Sequence, residues 1–83
     1  MDFSYNYLMD KDIKGIVGEN LKAARLARGM TQKEVAALLN KYQPDYSQYE
    51  SGKIELDYEK MVFLCNLFDI TPNDLFYGIF DKD

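Results

Sequence analysis

Two glutamines near the middle of the chain, Gln43 and Gln48, carry side chains suited to chemical recognition. A glutamine amide presents an acceptor oxygen and two N–H donors side by side, so it can form paired hydrogen bonds with a planar partner. The major-groove edge of adenine, with its N6 amino group and N7, is such a partner. Pro44 fits the first turn of a helix and not its interior, so both glutamines are predicted to lie on one short helix that begins here.

A second short helix is predicted immediately before the glutamines. Thr31 is followed three residues later by Glu34, the capping-box pattern that starts a helix. A largely apolar run over residues 35–39 comes next, and a polar break at residues 40–42 separates it from the helix over residues 43–50. Two short helices joined by a tight turn form a helix-turn-helix, whose second helix suits the major groove of DNA.

The residue types give little support to an enzyme or a metal site. The chain has no histidine, the commonest general acid/base and metal ligand. No paired carboxylates lie beside a nucleophile, Ser47 and Ser51 have no base to activate them, and Gly15 and Gly18 are a weak pattern for a phosphate loop. We therefore expect no catalytic residue, no bound metal and no cofactor.

Length and composition favour one small cytoplasmic domain. Eighty-three residues allow a helical bundle and little more. No apolar run approaches the roughly 20 residues of a membrane span, and residues 1–10 lack the basic start and apolar centre of a signal peptide. The lone cysteine, Cys65, lies in an apolar run and is predicted to be buried core.

The net charge of −4 is unevenly distributed along the chain. Residues 1–13 have a net charge of −2, and residues 55–83 have seven acidic residues against two basic ones. Residues 14–54, which include both short helices, have seven basic residues against four acidic ones, a net charge of +3. The predicted helix-turn-helix is therefore the basic part of an acidic chain, and a local positive surface can still attract phosphates.

Helical periodicity and capping signals divide most of the chain into short helices. Residues 1–12 are an aromatic, acidic arm that could be a tail, a strand or a pairing segment; residues 13–78 are the domain, and residues 79–83 are a C-terminal tail. Asp12, Asp57 and Thr71 are the predicted N-caps of the first, fourth and fifth helices. The predicted helices run over residues 13–28, 32–40, 43–50, 58–68 and from 72 through about 76 or 79. The fold class is therefore all-α.

Several stretches of the chain carry a family resemblance when their order and spacing are taken together. They are LKAAR over residues 21–25, RGMTQ over 28–32, EVA over 34–36, YESGK over 49–53, and LFDIT over 67–71 with DLF over 74–76. In this arrangement the chain resembles the helix-turn-helix class of phage repressors and Cro, which includes many bacterial transcriptional regulators (the XRE type) and antitoxins. The resemblance implies a compact, five-helix, lambda-repressor-like DNA-binding domain.

The resemblance also implies roles at particular positions. Gln43 and Gln48 would read bases, with Pro44 and Asp45 beside them in the groove. Other residues would contact DNA phosphates, among them the backbone N–H groups near Ser51 and Gly52. The implied phosphate contacts are Gln32, which would also brace Gln43, together with Lys33, Lys41, Ser51 and Lys53.

Arg25 and Glu50 match family positions that form an internal ion pair, and we expect that pair to be structural. The turn departs from the family pattern, because Asn40 replaces the usual glycine and Lys41 replaces an apolar residue. Asn tolerates the left-handed conformation that the turn needs. Tyr42 or Tyr46 would replace the lost core contact.

Two functions from different classes follow from the sequence. The first is a sequence-specific, repressor-like transcriptional regulator that binds a palindromic double-stranded operator as a homodimer. Dimerisation would use either the aromatic arm or the C-terminal apolar residues Phe76, Tyr77, Ile79 and Phe80. The second is an antitoxin or antirepressor that binds a protein partner through the same fold, favoured by the acidic balance and the tyrosines.

Overall fold

The structure is a computed structural model that describes residues 11–80. Five helices and no strand occur in that range, which confirms the predicted all-α class. The helices are α1 (Ile13–Ala27), α2 (Gln32–Leu38), α3 (Gln43–Glu50), α4 (Tyr58–Phe68) and α5 (Pro72–Leu75). The predictions for the aromatic arm, apart from Lys11 and Asp12, and for residues 81–83 concern residues outside the described range.

Side-chain caps start four of these helices, at the predicted residues. The Asp12 carboxylate accepts from the Gly15 N–H at 3.0 Å, and the Asp57 carboxylate accepts from the Lys60 N–H at 2.8 Å. Thr31 and Thr71 each form a complete capping box with the acidic residue three positions later. Each cap satisfies N–H groups that have no partner within the first turn of a helix.

The core lies where the five helices meet, and each of them contributes at least one buried side chain. It is built from aliphatic and aromatic side chains together with the cysteine, and Cys65 is buried as predicted. Its nine buried members are Leu21, Val35, Ala36, Tyr46, Tyr49, Leu64, Cys65, Phe68 and Leu75. Helix α3 packs against both α1 and α2, while α5 packs against α1 and α4. Helix α3 is therefore packed where it faces α1 and α2, and its remaining surface faces solvent.

Three predicted helix ends were too long. Helix α1 ends at Ala27 rather than Arg28, α2 ends at Leu38 rather than Asn40, and α5 ends at Leu75 without reaching Phe76 or Ile79. In the first two cases a left-handed residue, Gly29 at φ 69° or Asn40 at φ 58°, closes the helix shortly after its end. Residues 76–79 form turns instead, and Gly78 has a φ of 96°.

Apolar side chains at the turn and on α4 differ in burial. Of the two tyrosines predicted to replace the missing apolar contact of the turn, Tyr46 is fully buried, whereas Tyr42 is 79% exposed. Tyr58 and Val62 belong to the apolar pattern of α4 but are 87% and 59% exposed. A helix packed on one side buries only one stripe of its surface, so apolar residues outside that stripe remain in solvent.

Candidate nucleic-acid interface

The turn between α2 and α3 sets the direction of α3, whose outer side is exposed. After Leu38 the chain reaches Asn40 in the left-handed conformation, and the Lys41 N–H donates to the Ala36 carbonyl at 2.8 Å. This bond satisfies one of the carbonyls left open at the end of α2. Ala36 is 1% exposed, and its small side chain allows α2 and α3 to approach closely.

Helix α3 begins at Gln43 with Tyr42 as its N-cap residue. The Tyr42 side chain makes no capping hydrogen bond, and Pro44 lies in the first turn. Proline suits that place because it has no N–H to leave unpaired and its φ is already helical. Asp45 also lies in the first turn, where a carboxylate interacts favourably with the positive end of the helix dipole.

The inner side of α3 carries a buried polar cluster. Arg25 of α1 donates from Nε to Glu50 Oε2 at 2.7 Å and from Nη2 to Glu50 Oε1 at 3.1 Å. Its Nη1 donates to the Met30 carbonyl at 2.8 Å, and the Tyr46 hydroxyl donates to Glu50 Oε2 at 2.7 Å. Arg25 and Glu50, which the resemblance pairs, are therefore in bidentate contact between α1 and α3.

Hydrogen bonds decide the protonation states in this cluster. Burial alone would raise the pKa of Glu50, but hydrogen bonds from Arg25, Gln32 and Tyr46 outweigh it, and the pKa lies below its ordinary value. The hydrogen bond to Glu50 raises the pKa of Arg25 despite burial. Burial, together with donation to Glu50, raises the pKa of Tyr46. At neutral pH the cluster therefore holds a carboxylate, a guanidinium and a neutral phenol.

Gln32 connects this buried cluster to the surface. Its Nε2 donates to Glu50 Oε1 at 2.9 Å, and its Oε1 accepts from Gln43 Nε2 at 2.6 Å. The contact between Gln32 and Gln43 that the resemblance implies is thus present in the structure. Gln43 is exposed, so a side chain at the surface is connected to the core through one intermediate residue.

The four predicted base-reading residues are all exposed on α3. Each helical residue advances by about 100° around the axis, so Gln48 lies about 140° from Gln43. Pro44 lies four residues before Gln48 and shares the middle of the outer side with it, whereas Gln43 and Asp45 flank that line. Ser47, half-exposed and one turn after Gln43, lies between the two glutamines. Ser47 was not among the predicted contacts, although its i+4 spacing from Gln43 is visible in the sequence.

The predicted phosphate contacts differ in how available they are. Lys33 and Lys53 are exposed, whereas Lys41 is half-buried and its Nζ lies 5.7 Å from the centre of the Tyr49 ring. This is a cation–π distance, so Lys41 already has a favourable partner within the domain. Lysines 33 and 53 are thus the more available cations beside α3.

The backbone N–H groups after α3 do not fit their predicted role. Ser51 N–H donates to the Ser47 carbonyl at 3.0 Å, Gly52 N–H to the Tyr49 carbonyl at 3.3 Å, and Lys53 N–H to the Gln48 carbonyl at 3.0 Å. These bonds close the C-terminal end of α3, where the helix dipole disfavours an anion. A phosphate contact from Ser51 would therefore have to use its hydroxyl.

Comparisons with known proteins agree with this architecture. Residues 18–79, most of the chain, match the family model described as a helix-turn-helix domain. The chain belongs to the helix-turn-helix domain family. That match covers α2, the turn, α3 and the helices that hold them, so the local geometry and the family assignment rest on the same residues.

Two curated relatives come from Bacillus subtilis (strain 168). The chain is 35% identical over 60 residues to the uncharacterized HTH-type transcriptional regulator YqaE, covering 72% of this chain and 52% of that protein. It is 33% identical over 69 residues to the SPbeta prophage-derived uncharacterized HTH-type transcriptional regulator YonR, covering 80% of this chain and 64% of that protein. The chain thus spans between about half and two thirds of these relatives. No solved structure matches the chain.

Residues 11–80 contain neither a cluster of metal ligands nor a membrane-spanning helix. No group of three or more His, Cys, Asp or Glu side chains in this range is arranged to hold a metal ion. No helix in the same range is long and apolar enough to cross a membrane.

Proposed function

We propose that this chain is a sequence-specific DNA-binding transcriptional regulator that places α3 in the major groove. The observation that supports the proposal is that one side of α3 is buried and the other side is exposed. Its inner side is anchored by Tyr46, Tyr49 and Glu50, while its outer side offers two amides to solvent. An anchored helix with exposed amides is what direct reading of base edges requires. Membership of the helix-turn-helix family and two relatives named as transcriptional regulators support the same function.

We propose that the contacts divide into base reading and phosphate binding. Gln43 and Gln48 read bases, with Pro44 and Asp45 beside them; Asp45 repels phosphates but can accept a hydrogen bond from cytosine N4. Gln32, Lys33, Lys53, the Ser51 hydroxyl and, more weakly, Lys41 contact the backbone. Phosphate contacts fix the position of the domain, and base contacts supply the sequence preference.

One helix of eight residues reads only a few base pairs, so we propose that two copies bind a palindromic operator in the cytoplasm. In this class of protein two half-sites lie about one turn of DNA apart, and the symmetry of the site matches that of the dimer. The exposed aromatic side chains at the C-terminal end of the described chain, Tyr77 at 79% and Phe80 at 75%, offer apolar surface for such a contact.

Selection of bound sequences from a random pool of double-stranded DNA tests this function. We expect one motif to be enriched, and a two-fold symmetric motif would indicate a dimer. On that motif Gln43→Ala and Gln48→Ala should each weaken binding by about 1–3 kcal/mol while circular dichroism and thermal unfolding stay unchanged. Asn66→Ala, which removes an exposed amide from α4, is the matched control and should bind like the parent.

A second function is favoured by the apolar surface away from α3. Tyr58 and Val62 lie one turn apart on α4 and are both largely exposed, as is Tyr42 in the turn. Tyrosine is enriched in protein interfaces, so this surface favours an antitoxin-like or antirepressor-like module that binds a protein. Affinity for DNA should fall steeply with added salt, whereas apolar binding to a protein should not. Salt titration of the complex therefore separates the two functions.

A further inference from the structure

An apolar cavity of about 200 Å³ lies next to the C-terminal end of α3, between α1 and α4. Nine of the described residues line it, and seven of these are aliphatic or aromatic, so its interior suits an apolar molecule. The wall includes Ile13, Val17, Tyr49, Ile54, Met61 and Phe76. An engineered protein cavity of about 150 Å³ with such a lining stays dry and binds benzene. The volume of this cavity therefore suits one substituted six-membered ring.

Tyr49 gives the cavity wall a hydroxyl that has no protein partner. The side chain is 6% exposed, and its ring contacts Lys41, whose Nζ lies 5.7 Å from the ring centre, and the Tyr46 ring, whose centre is 6.1 Å away. The Tyr46 hydroxyl donates to Glu50, whereas the Tyr49 hydroxyl has no hydrogen-bond partner within residues 11–80. Every fully buried polar side-chain atom in that range has a partner, so solvent reaches this hydroxyl. It is therefore available to a ligand.

The opening of the cavity carries two opposite charges. Lys14 of α1 and Glu55, five residues after the end of α3, both line the cavity and are exposed. The third exposed residue of the lining is the apolar Ile54. Because the attraction of one charge for an ion is offset by the repulsion from the other, the opening favours neither an anion nor a cation. A neutral ligand is the best match.

We propose that this cavity binds a neutral, monocyclic aromatic molecule that carries one hydroxyl, a ligand of the phenol class. The ring fills the apolar space, and its hydroxyl forms a hydrogen bond with that of Tyr49, since a phenolic O–H both donates and accepts. The site lies close to the proposed DNA-binding surface, because Tyr49 belongs to α3 and Ile54 follows Lys53. The proposal goes beyond the regulator function and does not depend on it, because the ligand binds without DNA.

Methyl NMR of the full chain measures the binding of p-cresol, with toluene and benzoate for comparison. Saturable shifts are expected at Ile13, Ile54 and Met61, which line the cavity, and none at Ile70, which does not. The Kd of p-cresol should be about 1 mM or below. Toluene lacks the hydroxyl and should bind about fivefold more weakly. Benzoate must lose the hydration of its charge and should bind more weakly than p-cresol by about tenfold or more.

Tyr49→Phe keeps the ring and removes the hydroxyl. The ratio of p-cresol affinity to toluene affinity should fall from about five to about one, because only p-cresol uses the hydroxyl. Tyr58→Phe, which removes an exposed hydroxyl from α4, is the matched control and should keep the ratio. If Tyr49 only supported the fold, its loss would weaken both ligands alike. A ratio that stays near five in Tyr49→Phe would therefore overturn the proposal.

Filling the cavity tests the location of the site. Val17→Phe places a ring in the cavity and should abolish p-cresol binding, while thermal stability stays equal to that of the parent or rises. Val62→Phe makes the same change at an exposed site on α4 and should bind like the parent. If Val17→Phe does not fold, Ile54→Phe at the opening repeats the test.

Three further results would overturn the proposal. The first is the absence of saturable p-cresol binding, and the second is binding that survives in a folded, cavity-filled variant. The third is a set of cross-peaks, in the protein without ligand, between the Met61 methyl group and an aromatic side chain of residues 1–10 or of a second copy. Such cross-peaks would show that the chain itself fills the cavity.

Discussion

The two sides of α3 differ in what holds their side chains in place. On the inner side, Tyr46 and Glu50 are almost fully buried, and the polar atoms of both are hydrogen-bonded. On the outer side, Pro44 and Gln48 are exposed, and the described residues give the Gln48 side chain no hydrogen bond. One short helix thus carries a set of residues that the fold requires and a set that the fold leaves free.

Gln43 lies at the border between these two sides. It is exposed like Gln48, yet its amide is joined through Gln32 to the buried Glu50. The comparison of Gln43 with Gln48 shows that residue type and exposure do not define how well a side chain is oriented. A side chain that is already positioned loses less freedom on binding, so it should contribute more to specificity.

The largest expected effect is on the inner side. Arg25→Met leaves the Glu50 carboxylate buried without its cation, and we expect a loss of about 3–5 kcal/mol of unfolding free energy. Urea denaturation followed by circular dichroism measures it. Arg28→Met, at an exposed site just after α1, is the control and should change stability by less than about 0.5 kcal/mol. Equal stability of the two variants would show that the buried ion pair on the inner side of α3 stabilises the fold no more than an exposed side chain does.

A smaller effect is expected where α1 meets the end of α3. A Cβ added at Gly18 would lie 2.5 Å from the Glu50 carbonyl oxygen and 2.6 Å from that of Tyr49. Because both neighbours are backbone, Gly18→Ala should cost about 1–3 kcal/mol despite its gain in helix propensity. Thermal unfolding of this variant beside Lys22→Ala, an exposed site on the same helix, measures the cost. A Gly18→Ala protein as stable as the parent would show that α1 and α3 are free to separate.

Acid should reduce the contribution of the inner side. The pKa of Glu50 is lowered on folding, so its stabilisation is complete above the unfolded value of about 4.3 and is lost as pH falls through the folded value. Glu50→Gln lacks this titration. The parent should be more stable than the variant at pH 7, and the difference should shrink as pH falls below about 4. A difference that stays constant down to pH 2 would show that the Glu50 charge does not stabilise the fold.

The smallest effect is expected at Lys53, which lies three residues after the end of α3. Lys53→Ala should leave stability unchanged and weaken binding to all DNA sequences alike, because a phosphate contact carries no sequence information. The slope of log affinity against log salt should fall by about one. Lys60→Ala removes an equal charge from α4 and should leave the slope unchanged. A change in sequence preference in Lys53→Ala would place this lysine among the base readers.

Much of the fold was predictable because its signals are local. The limits of α3 were predicted correctly from Pro44 and the Ser51–Gly52 ending, and the N-caps at Asp12, Thr31, Asp57 and Thr71 were identified from residue type and spacing. Such signals depend on hydrogen bonds over three or four residues, which a sequence displays directly. The ends of α2 and α5 were predicted too far along the chain, because the residues beyond them form turns, at Asn40 in the left-handed conformation and over residues 76–79.

The site was predictable in its residue types but not in its connections. The glutamines of α3 and the Arg25–Glu50 pair followed from the sequence and from the family resemblance. The use of the Ser51 and Gly52 N–H groups within α3, and the partial burial of Lys41 against Tyr49, did not. The Ser51 and Gly52 N–H groups are used because the chain forms a turn directly after α3. Lys41 is half-buried because the turn between α2 and α3 packs against Tyr49.

The sequence by itself determined that five short helices form and that two amides lie on the third of them, because capping, periodicity and proline act over a few residues. Only the tertiary structure decided that Gln43 is oriented and Gln48 is not. Glu50, Gln32 and Gln43 come from two helices separated by a turn, and their hydrogen bonds exist only when α2 packs on α3. The direction in which an amide faces depends on the partner beside it, and that partner is chosen by packing.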